Sequence, residues 1–599
     1  MTEPFEQAYN DALAHHRQGR LADADRLYAQ AVALKPDLVE AHNNRGAIRQ
    51  LAGDWAGALS CYDAAIRFRP GYAEALANRG NVLIQLRRYD AALASFERAL
   101  ALTPGRASAL NGRAGVLFKL KRFEQALAAY EQLRAADPAN PYALGGMLIA
   151  AMNLCDWKTV ERIAPEVRQG IVDGTAVVAP FPFLGLSDDK ALQLKCARNA
   201  IAELGLQPVP PLWRGERYAH DRIRLAYISS DFCQHPVPLL IARLIESHDR
   251  EHFEVLGFST GLNDNSPIRA RIEKAFDRFH DVQGQTPAAI ARRLREDEVD
   301  ILVDLTGHTE GDHFEILNRR PCPIQVNWLG YPGTSGAASL DYILADPIVA
   351  PPEHAPFFRE QIVQLPDCYF PTSYGAPAAP PSRAEAGLPP LPSDGVGNGF
   401  VFCSFNNSWK ITRAMFDVWM RLLAGVPGSV LWLLESSTGF RDNLRREAGA
   451  RAIAPERLVF APRVSPDVNL ARLARADLVL DTSPYNGHMT TSDALWAGVP
   501  LVTLAGQAFA GRVAMSQLSA IGMGELVIHS LVDYEALALK LACDPALLKA
   551  TREKLARSRN LAPLFDTARM VQTVESAFAT MLEIHNKGEA PRGFRVGDR

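Results

Sequence analysis

Four registers of apolar, aromatic and proline positions recur along the first part of the chain with one period. Leu21, Trp55, Tyr89 and Phe123 stand 34 residues apart, as do Ala24, Ala58, Ala92 and Ala126, then Tyr28, Tyr62, Phe96 and Tyr130. Pro36, Pro70, Pro104 and Pro138 close each unit at the same spacing. This period predicts tetratricopeptide units of two antiparallel helices. The alanine lets the helices approach, the aromatic fills the gap and the proline ends the second helix. The repeat region is read over residues 1–172, with a weaker fifth unit from Pro141 to Gly174. Stacked units form a superhelix with a concave groove. Asn44 and Asn78 hold equivalent positions on the first helices of their units, and Gly112 takes the third. An asparagine carries both a donor and an acceptor, so it can grip a peptide bond without reading side chains.

A proline-bearing connector, residues 173–220, carries no legible chemistry. Beyond it, short β-branched runs alternate with helical stretches. Residues 221–375 predict strands at 223–229, 253–258, 300–305 and 341–346, with helices near 239–247 and 287–297. Residues 376–399 are rich in proline and glycine and read as an exposed hinge between domains. Residues 400–585 repeat the alternation, with strands at 400–405, 429–434, 458–461, 477–480 and 501–504. Such alternation predicts two parallel, doubly wound sheets, whose ligands bind beyond the strand C-terminal ends. The polar tail, 586–599, is expected to fray.

The stretch from Ala476 to Pro500 organises the second of these domains. Leu478, Val479 and Leu480 form an apolar strand, and Pro484 with Asn486-Gly487 signals a turn. Thr490, Thr491 and Ser492 are candidate caps of a helix whose apolar face starts at Ala494 and Leu495. Strand, small-residue turn and helix N-terminus together make an anion site. Asp493, one step inside that helix, could hold a ribose diol. By pattern alone the segment also suits an ordinary strand-to-helix turn, because it lacks a glycine-rich fingerprint.

Other loops past predicted strand ends carry candidate chemistry. His235, in the run from Ser230 to Pro236, can shuttle a proton or donate to a phosphate. Thr306-Gly307-His308-Thr309 follows the 300–305 strand. Gly330, Gly333 and Gly336 allow close backbone approach to a ligand. Lys410 can neutralise charge on a leaving diphosphate, with Asn407 beside it.

Composition narrows the class. A chain of 599 residues suggests about three or four domains. Apolar content of 48% and charged content of 22% are those of a globular protein, and a net charge of −3 argues against a general nucleic-acid or anionic-membrane binder. The eight cysteines form no CxxC pair, which argues against a zinc site or disulfide framework. The N-terminus is polar and acidic where a signal peptide needs a basic then apolar run, and no apolar stretch reaches membrane-spanning length. A cytoplasmic location is expected.

In order along the chain, these runs resemble the protein O-GlcNAc transferases. The matching runs are Ser229-Ser230-Asp231-Phe232 with His235-Pro236, Asp304-Leu305-Thr306-Gly307-His308-Thr309, and Trp328-Leu329-Gly330-Tyr331-Pro332-Gly333-Thr334-Ser335-Gly336 in the first domain. In the second they are Phe405-Asn406 with Lys410-Ile411, Asn486 to Asp493, Leu495 to Thr503, and Gly511 to Ser516. The resemblance covers nearly the whole chain. It implies a tetratricopeptide superhelix followed by a GT-B transferase of two facing Rossmann-like domains. It implies an inverting transfer of N-acetylglucosamine from UDP-GlcNAc to Ser or Thr hydroxyls of proteins, with no metal or other cofactor. His235 and Lys410 would then be catalytic. Asn407, Arg472, His488, Met489, Thr490, Thr491 and Asp493 would hold the nucleotide. His308, Thr309, Leu329, Gly330, Gly333 and Thr334 would lie near sugar and acceptor, and Asn44 and Asn78 would line a peptide groove. Expected partners are a protein or peptide acceptor and a nucleotide sugar, without nucleic acid or membrane, and the repeats could support a homodimer.

The chain departs from the family in four places. Its hinge has no room for the extra domain that animal enzymes carry between their lobes. Asn469 stands where they place a histidine against the uracil, Tyr485 where they have a cysteine, and Met489 where they have a threonine. Other readings stay open: a GDP-fucose donor as in SPINDLY-like relatives, a dedicated target such as flagellin, or an inactive repeat scaffold.

Overall fold

The computed structural model describes residues 3–375, 379–390, 399–559 and 561–597. It divides into two compact units, Met1–Leu154 and Cys155–Arg599.

The first unit is all helix. Pro4–Arg17 pairs with Leu21–Leu34, Val39–Leu51 with Trp55–Phe68, Ala73–Gln85 with Tyr89–Leu102, and Ala107–Lys119 with Phe123–Ala136, and Pro141–Leu154 follows. The periodic alanines are fully buried, as are Tyr28, Tyr62 and Phe96, and each periodic proline lies two residues beyond a helix end. Gly112 interrupts the asparagine series for a packing reason: a Cβ there would collide with the Phe96 ring. The boundary between the units falls inside the expected fifth repeat, whose second helix, Trp157–Asp173, belongs to the second unit.

The second unit holds two sheets. The first contains β1 (Ile223–Ser229), β2 (Phe253–Ser259), β3 (Arg278–Asp281), β4 (Ile301–Asp304), β5 (Ile324–Asn327), β6 (Tyr342–Ala345) and β7 (Gln361–Gln364). The second contains β8 (Val401–Ser404), β9 (Val430–Leu434), β10 (Leu458–Ala461), β11 (Leu478–Leu480), β12 (Leu501–Leu504) and β13 (Val527–Ile528). The last strand, β14 (Phe594–Arg595), returns to the first sheet. The orders are β14-β7-β6-β5-β4-β1-β2-β3 and β10-β9-β8-β11-β12-β13, with parallel pairing throughout. Strand order reverses between β1 and β4 and again between β8 and β11, and doubly wound sheets bind ligands at such switch points. The crossing helices start on caps that the sequence supplies: Ser266, Thr286, Thr412 and Ser437 each accept from a first-turn N–H. Helices cover both faces of each sheet, so strands such as Val401–Ser404 are buried along their whole length.

Three expectations are corrected. The sequence reading lacks the short strands β3, β5, β7, β13 and β14, because each is too short for a clear period and some carry polar residues, such as Arg278 and His280 in β3. The described part of the tail does not fray: Phe594 pairs with Val363 and Arg595 with Gln364, and the preceding Thr567–Asn586 helix returns to the first lobe, where Glu575 bonds His248 at 2.9 Å. In the expected hinge, residues 376–378 and 391–398 lie outside the described residues, while Ala386 and Leu388 are buried rather than exposed. All eight cysteines are free thiols. Among the described residues no helix is long and apolar enough to cross a membrane.

Candidate active site

At the second switch point the loop after β8 meets the loop after β11. Lys410 ends a short 3-10 turn, Ser408–Lys410, and is 7% exposed. Its Nζ donates to the Asn486 carbonyl at 2.9 Å and lies 3.6 Å from the Tyr485 ring centroid. Burial pushes this ammonium well below the usual lysine range, opposed by the charge of Asp481. Asp481 is fully buried and accepts from the N–H groups of Gly487 (2.6 Å) and Thr482 (2.8 Å) and from Thr503 Oγ1 (2.6 Å). Burial raises its pKa against those bonds. The pair fixes the backbone of the turn, and it leaves a desolvated cation where an incoming anion would restore its charge.

The loop bearing Lys410 is pinned from outside the sheet. Trp157 Nε1–H donates to the Ile411 carbonyl at 2.9 Å and Cys155 Sγ–H to the Ser408 carbonyl at 3.5 Å, so both flanking carbonyls are held. Thr412 ties the same loop to Ser483 O at 3.1 Å.

The helix after β11 runs from Met489 to Trp496. The expected hydroxyl caps are corrected: its N-cap is His488, with no side-chain cap bond, and the threonines lie inside the first turn. Thr490 Oγ1 donates to Asn406 Oδ1 (2.8 Å), Thr491 Oγ1 to Gly487 O (2.9 Å) and Ser492 Oγ to Met489 O (3.0 Å). The hydroxyls therefore look back at the chain; Thr491 and Ser492 N–H bond the His488 carbonyl at 3.1 and 3.2 Å, and no side chain caps the positive end of the helix. His488 is kept neutral by burial, its shift deepened by Lys410, and its ring bonds Ala510 O at 3.3 Å. Asp493 is 9% exposed; its Oδ1 accepts from Tyr374 OH at 2.6 Å, and burial raises its pKa to about 6.

Two nucleotide candidates sit differently from expectation. Asn407 is exposed and accepts from Arg463 at 2.9 Å, whereas its neighbour Asn406 is the buried member that joins Thr490 and Asp481. Arg472 is buried against the Phe405 ring and donates to Asn469 Oδ1 at 2.8 and 3.1 Å. These two bonds orient the Asn469 amide.

In the first lobe the candidate loops are knitted at the β1/β4 switch point. Ser230 Oγ donates to Glu310 O (2.8 Å), and His308 Nε2–H to Ser335 O (2.6 Å). Burial lowers the His308 pKa to about 4, so this imidazole is neutral. Thr309 Oγ1 bonds Thr306 O within its own turn at 2.9 Å. Thr334 Oγ1 donates to the buried Glu360 at 2.6 Å, and Leu329 adopts a positive φ of 73°. A Cβ at Gly330 would collide with the Leu305 carbonyl oxygen, and one at Gly333 would press on the Tyr331 ring. His235 is half-buried; its Nδ1 accepts from Val237 N–H at 3.4 Å and lies 3.7 Å from Asp231. Accepting at Nδ1 puts the proton of the neutral ring on Nε2, and burial lowers its pKa against the pull of Asp231. In this state His235 offers a donor.

Many contacts join the lobes, among them Ser516 Oγ donating to Asp346 Oδ2 at 2.7 Å, and two others lie beside the candidate residues. Tyr374, leaving the first lobe, reaches Asp493 and Ser492. Phe181, in the connector read as without chemistry, packs on Tyr331 of the first lobe and on Trp409 and Tyr485 of the second, with centroids 5.5–6.4 Å apart. Nearby, Asp188 accepts from the N–H groups of Gln507 and Ala508 at 2.5 and 2.8 Å. Two turn carboxylates, a connector aromatic and an isolated tyrosine have no motif, so sequence reasoning does not reach Asp188, Asp481, Phe181 or Tyr374. In the repeats, Asn44 spends its amide on the Tyr9 and Tyr28 hydroxyls (3.4 and 3.3 Å), and Asn78 bonds Asn43 at 3.1 Å. Among the described residues no group of three or more His, Cys, Asp or Glu side chains could hold a metal ion.

A helical repeat array followed by two parallel doubly wound sheets is the architecture of a GT-B fold preceded by tetratricopeptide repeats. The sequence profile of glycosyl transferase family 41 matches residues 206–374 and 382–574, and a tetratricopeptide profile matches 9–73 and 77–141. The chain belongs to glycosyl transferase family 41. It is 34% identical over 468 residues to the probable UDP-N-acetylglucosamine–peptide N-acetylglucosaminyltransferase SEC of Arabidopsis thaliana, covering 74% of this chain and 47% of that one. It is 27% identical over 489 residues to the Caenorhabditis elegans UDP-N-acetylglucosamine–peptide N-acetylglucosaminyltransferase, covering 63% and 42%. The rice protein of the same description named SPINDLY is 32% identical over 400 residues, covering 65% and 42%. The chain thus spans less than half the length of these curated relatives. A solved point variant of the Thermobaculum terrenum O-GlcNAc transferase superposes with a TM-score of 0.66 at 27% identity, covering 92% of this chain and 98% of that one.

Proposed function

We propose that the chain transfers N-acetylglucosamine from UDP-GlcNAc to Ser or Thr hydroxyls of a protein acceptor, with inversion and without a metal. The observation that carries this reading is Lys410: a buried, desolvated ammonium at the switch point of the second sheet, beside an uncapped helix start. A diphosphate seated there meets one cation and several N–H donors, which offsets the charge that develops as UDP leaves. Asp493 takes a ribose hydroxyl. His235, donating through Nε2, suits a contact to a phosphate oxygen, and holding acceptor and sugar in line supplies a large part of the rate. The names of the relatives support the sugar and the peptide acceptor. The repeat array is read as the acceptor-binding part.

The test is mass spectrometry of Ser- and Thr-containing peptides incubated with UDP-GlcNAc. A gain of one N-acetylhexosamine that disappears in Lys410→Ala supports the reading. Transfer at the same rate in Lys410→Ala contradicts it, and transfer from GDP-fucose alone would move the chain to the SPINDLY-type donor.

A further inference from the structure

Asp493 is a buried carboxylate with an unusual companion. The Tyr374 hydroxyl lies 2.6 Å from its Oδ1 and 2.7 Å from Ser492 Oγ. Among the described residues Oδ2 has no hydrogen-bond partner. The tyrosine ring stacks on Trp496, one turn further along the same helix, at 5.2 Å between centroids and 12° between planes, and meets Phe565 edge-on at 6.0 Å. Its backbone is anchored two residues earlier, where Thr372 Oγ1 donates to Leu564 O at 2.9 Å. Tyr374 is thus held rigidly by the second lobe although it lies at the end of the first.

This arrangement gives one carboxylate oxygen to the protein and leaves the other to a ligand. A carboxylate in a half-empty pocket rotates about χ2, and its two oxygens exchange roles. A strong O–H donor on one oxygen stops that exchange, stabilises the ionised form against burial and aims the remaining lone pairs. The ionised form accepts from both hydroxyls of a vicinal diol more strongly than the protonated form, because its acceptor carries charge.

We propose that Tyr374 is a positioning residue that holds Asp493 for the ribose and so makes the site select ribonucleotide over deoxyribonucleotide donors. The inference rests on the reading of Asp493 as the ribose ligand. It adds that selectivity is set from the segment joining the two lobes, by a hydroxyl that touches no substrate.

The experiment compares UDP with 2′,3′-dideoxy-UDP by calorimetric titration of the full chain. The wild type is expected to favour UDP by about 10- to 100-fold, the range of a charge-assisted hydrogen bond. Tyr374→Phe keeps the ring stack on Trp496 and removes only the hydroxyl. It is expected to weaken UDP at least about fivefold while leaving dideoxy-UDP within about twofold, so the preference shrinks. The double variant with Asp493→Asn should show the same preference as Asp493→Asn alone, since the tyrosine acts through the aspartate. A parallel weakening of both nucleotides in Tyr374→Phe, or an unchanged preference, overturns the inference, and in either case a lost preference in Asp493→Asn would leave the nucleotide site standing. If Tyr374→Phe fails to fold, Asp493→Asn and Ser492→Ala decide: Ser492→Ala should preserve the preference, and its loss there would assign selectivity to the serine instead. A wild type that binds both nucleotides equally removes Asp493 as a ribose ligand and overturns both readings. Binding of GDP but not UDP shifts the base, and the same comparison of GDP with dideoxy-GDP then supports or overturns the inference by the same criteria.

Discussion

The two lobes of the transferase body share a topology and handle polar groups at their strand ends in opposite ways. In the first lobe several loop polar groups are matched by internal partners: Thr334 with Glu360, His308 with Ser335 O, and Thr306 and Gly307 N–H with Asp304. The second lobe concentrates groups whose burial is only partly compensated: Lys410 driven toward its neutral form, Asp493 toward its protonated form, and a helix start without a cap. Unfavourable burial of that kind persists where a ligand completes the site. The difference teaches that, on the reading proposed above, the second lobe keeps an incompletely compensated cation for an incoming anion.

Substitutions can break that contrast. The largest effect is expected from Lys410→Ala, which should lower kcat by about 10²- to 10³-fold, the cost of one preorganised electrostatic contact to a departing charge. Thr334→Val in the first lobe should instead leave Glu360 short of a buried partner and cost about 1–3 kcal/mol of stability in a denaturant titration, with kcat changed less than about tenfold. Comparable kcat losses in the two variants would erase the division of labour. Gly330→Ala tests the tight packing of the first lobe: its methyl meets the Leu305 carbonyl oxygen, and a loss of about 3 kcal/mol is expected in the same titration.

Asp493→Asn sharpens the second half of the comparison. The folded pKa of Asp493, about 6, lies above its ordinary value of 3.8, so the folded state binds the proton more tightly than the unfolded state. Its contribution to stability is therefore fully present below the unfolded pKa and is lost as pH rises through about 6. The asparagine variant should be more stable than wild type at pH 7 by up to about 3 kcal/mol, with the advantage fading toward pH 4. A pH-independent difference would show that the carboxylate is not strained by burial. The smallest effect is expected at His235, because a donor need not change its protonation state. His235→Asn should lower kcat by about tenfold and leave the acid limb of the kcat–pH profile in place, whereas loss of that limb would make His235 the base.

Much of this was legible in the sequence, for identifiable reasons. The repeats announce themselves because each 34-residue unit solves the same packing problem with alanine, aromatic and proline in fixed places. The strand ending at Leu480 and the helix holding Asp493 were visible because an apolar run, a turn signal and a second apolar run are local features. What stayed hidden depends on distant pairing. Nothing local marks Tyr374 as the partner of Asp493, Trp157 as the residue holding the Lys410 loop, or Asp481 as the carboxylate beneath the lysine. The threonine cap failed because the helix starts earlier, at Met489, so His488 takes the N-cap and Thr490 and Thr491 lie inside the first turn. The fray at the tail failed because two residues of pairing to β7 carry no sequence signal of their own.

The central claim is that a diphosphate completes the charge at Lys410, and calorimetric titration with UDP and with uridine addresses it directly. The account predicts that the wild type binds UDP at least about 100-fold more tightly than uridine, and that Lys410→Met narrows the gap to about tenfold or less while uridine binding is unchanged. A gap of full size in Lys410→Met, or none in the wild type, would contradict it.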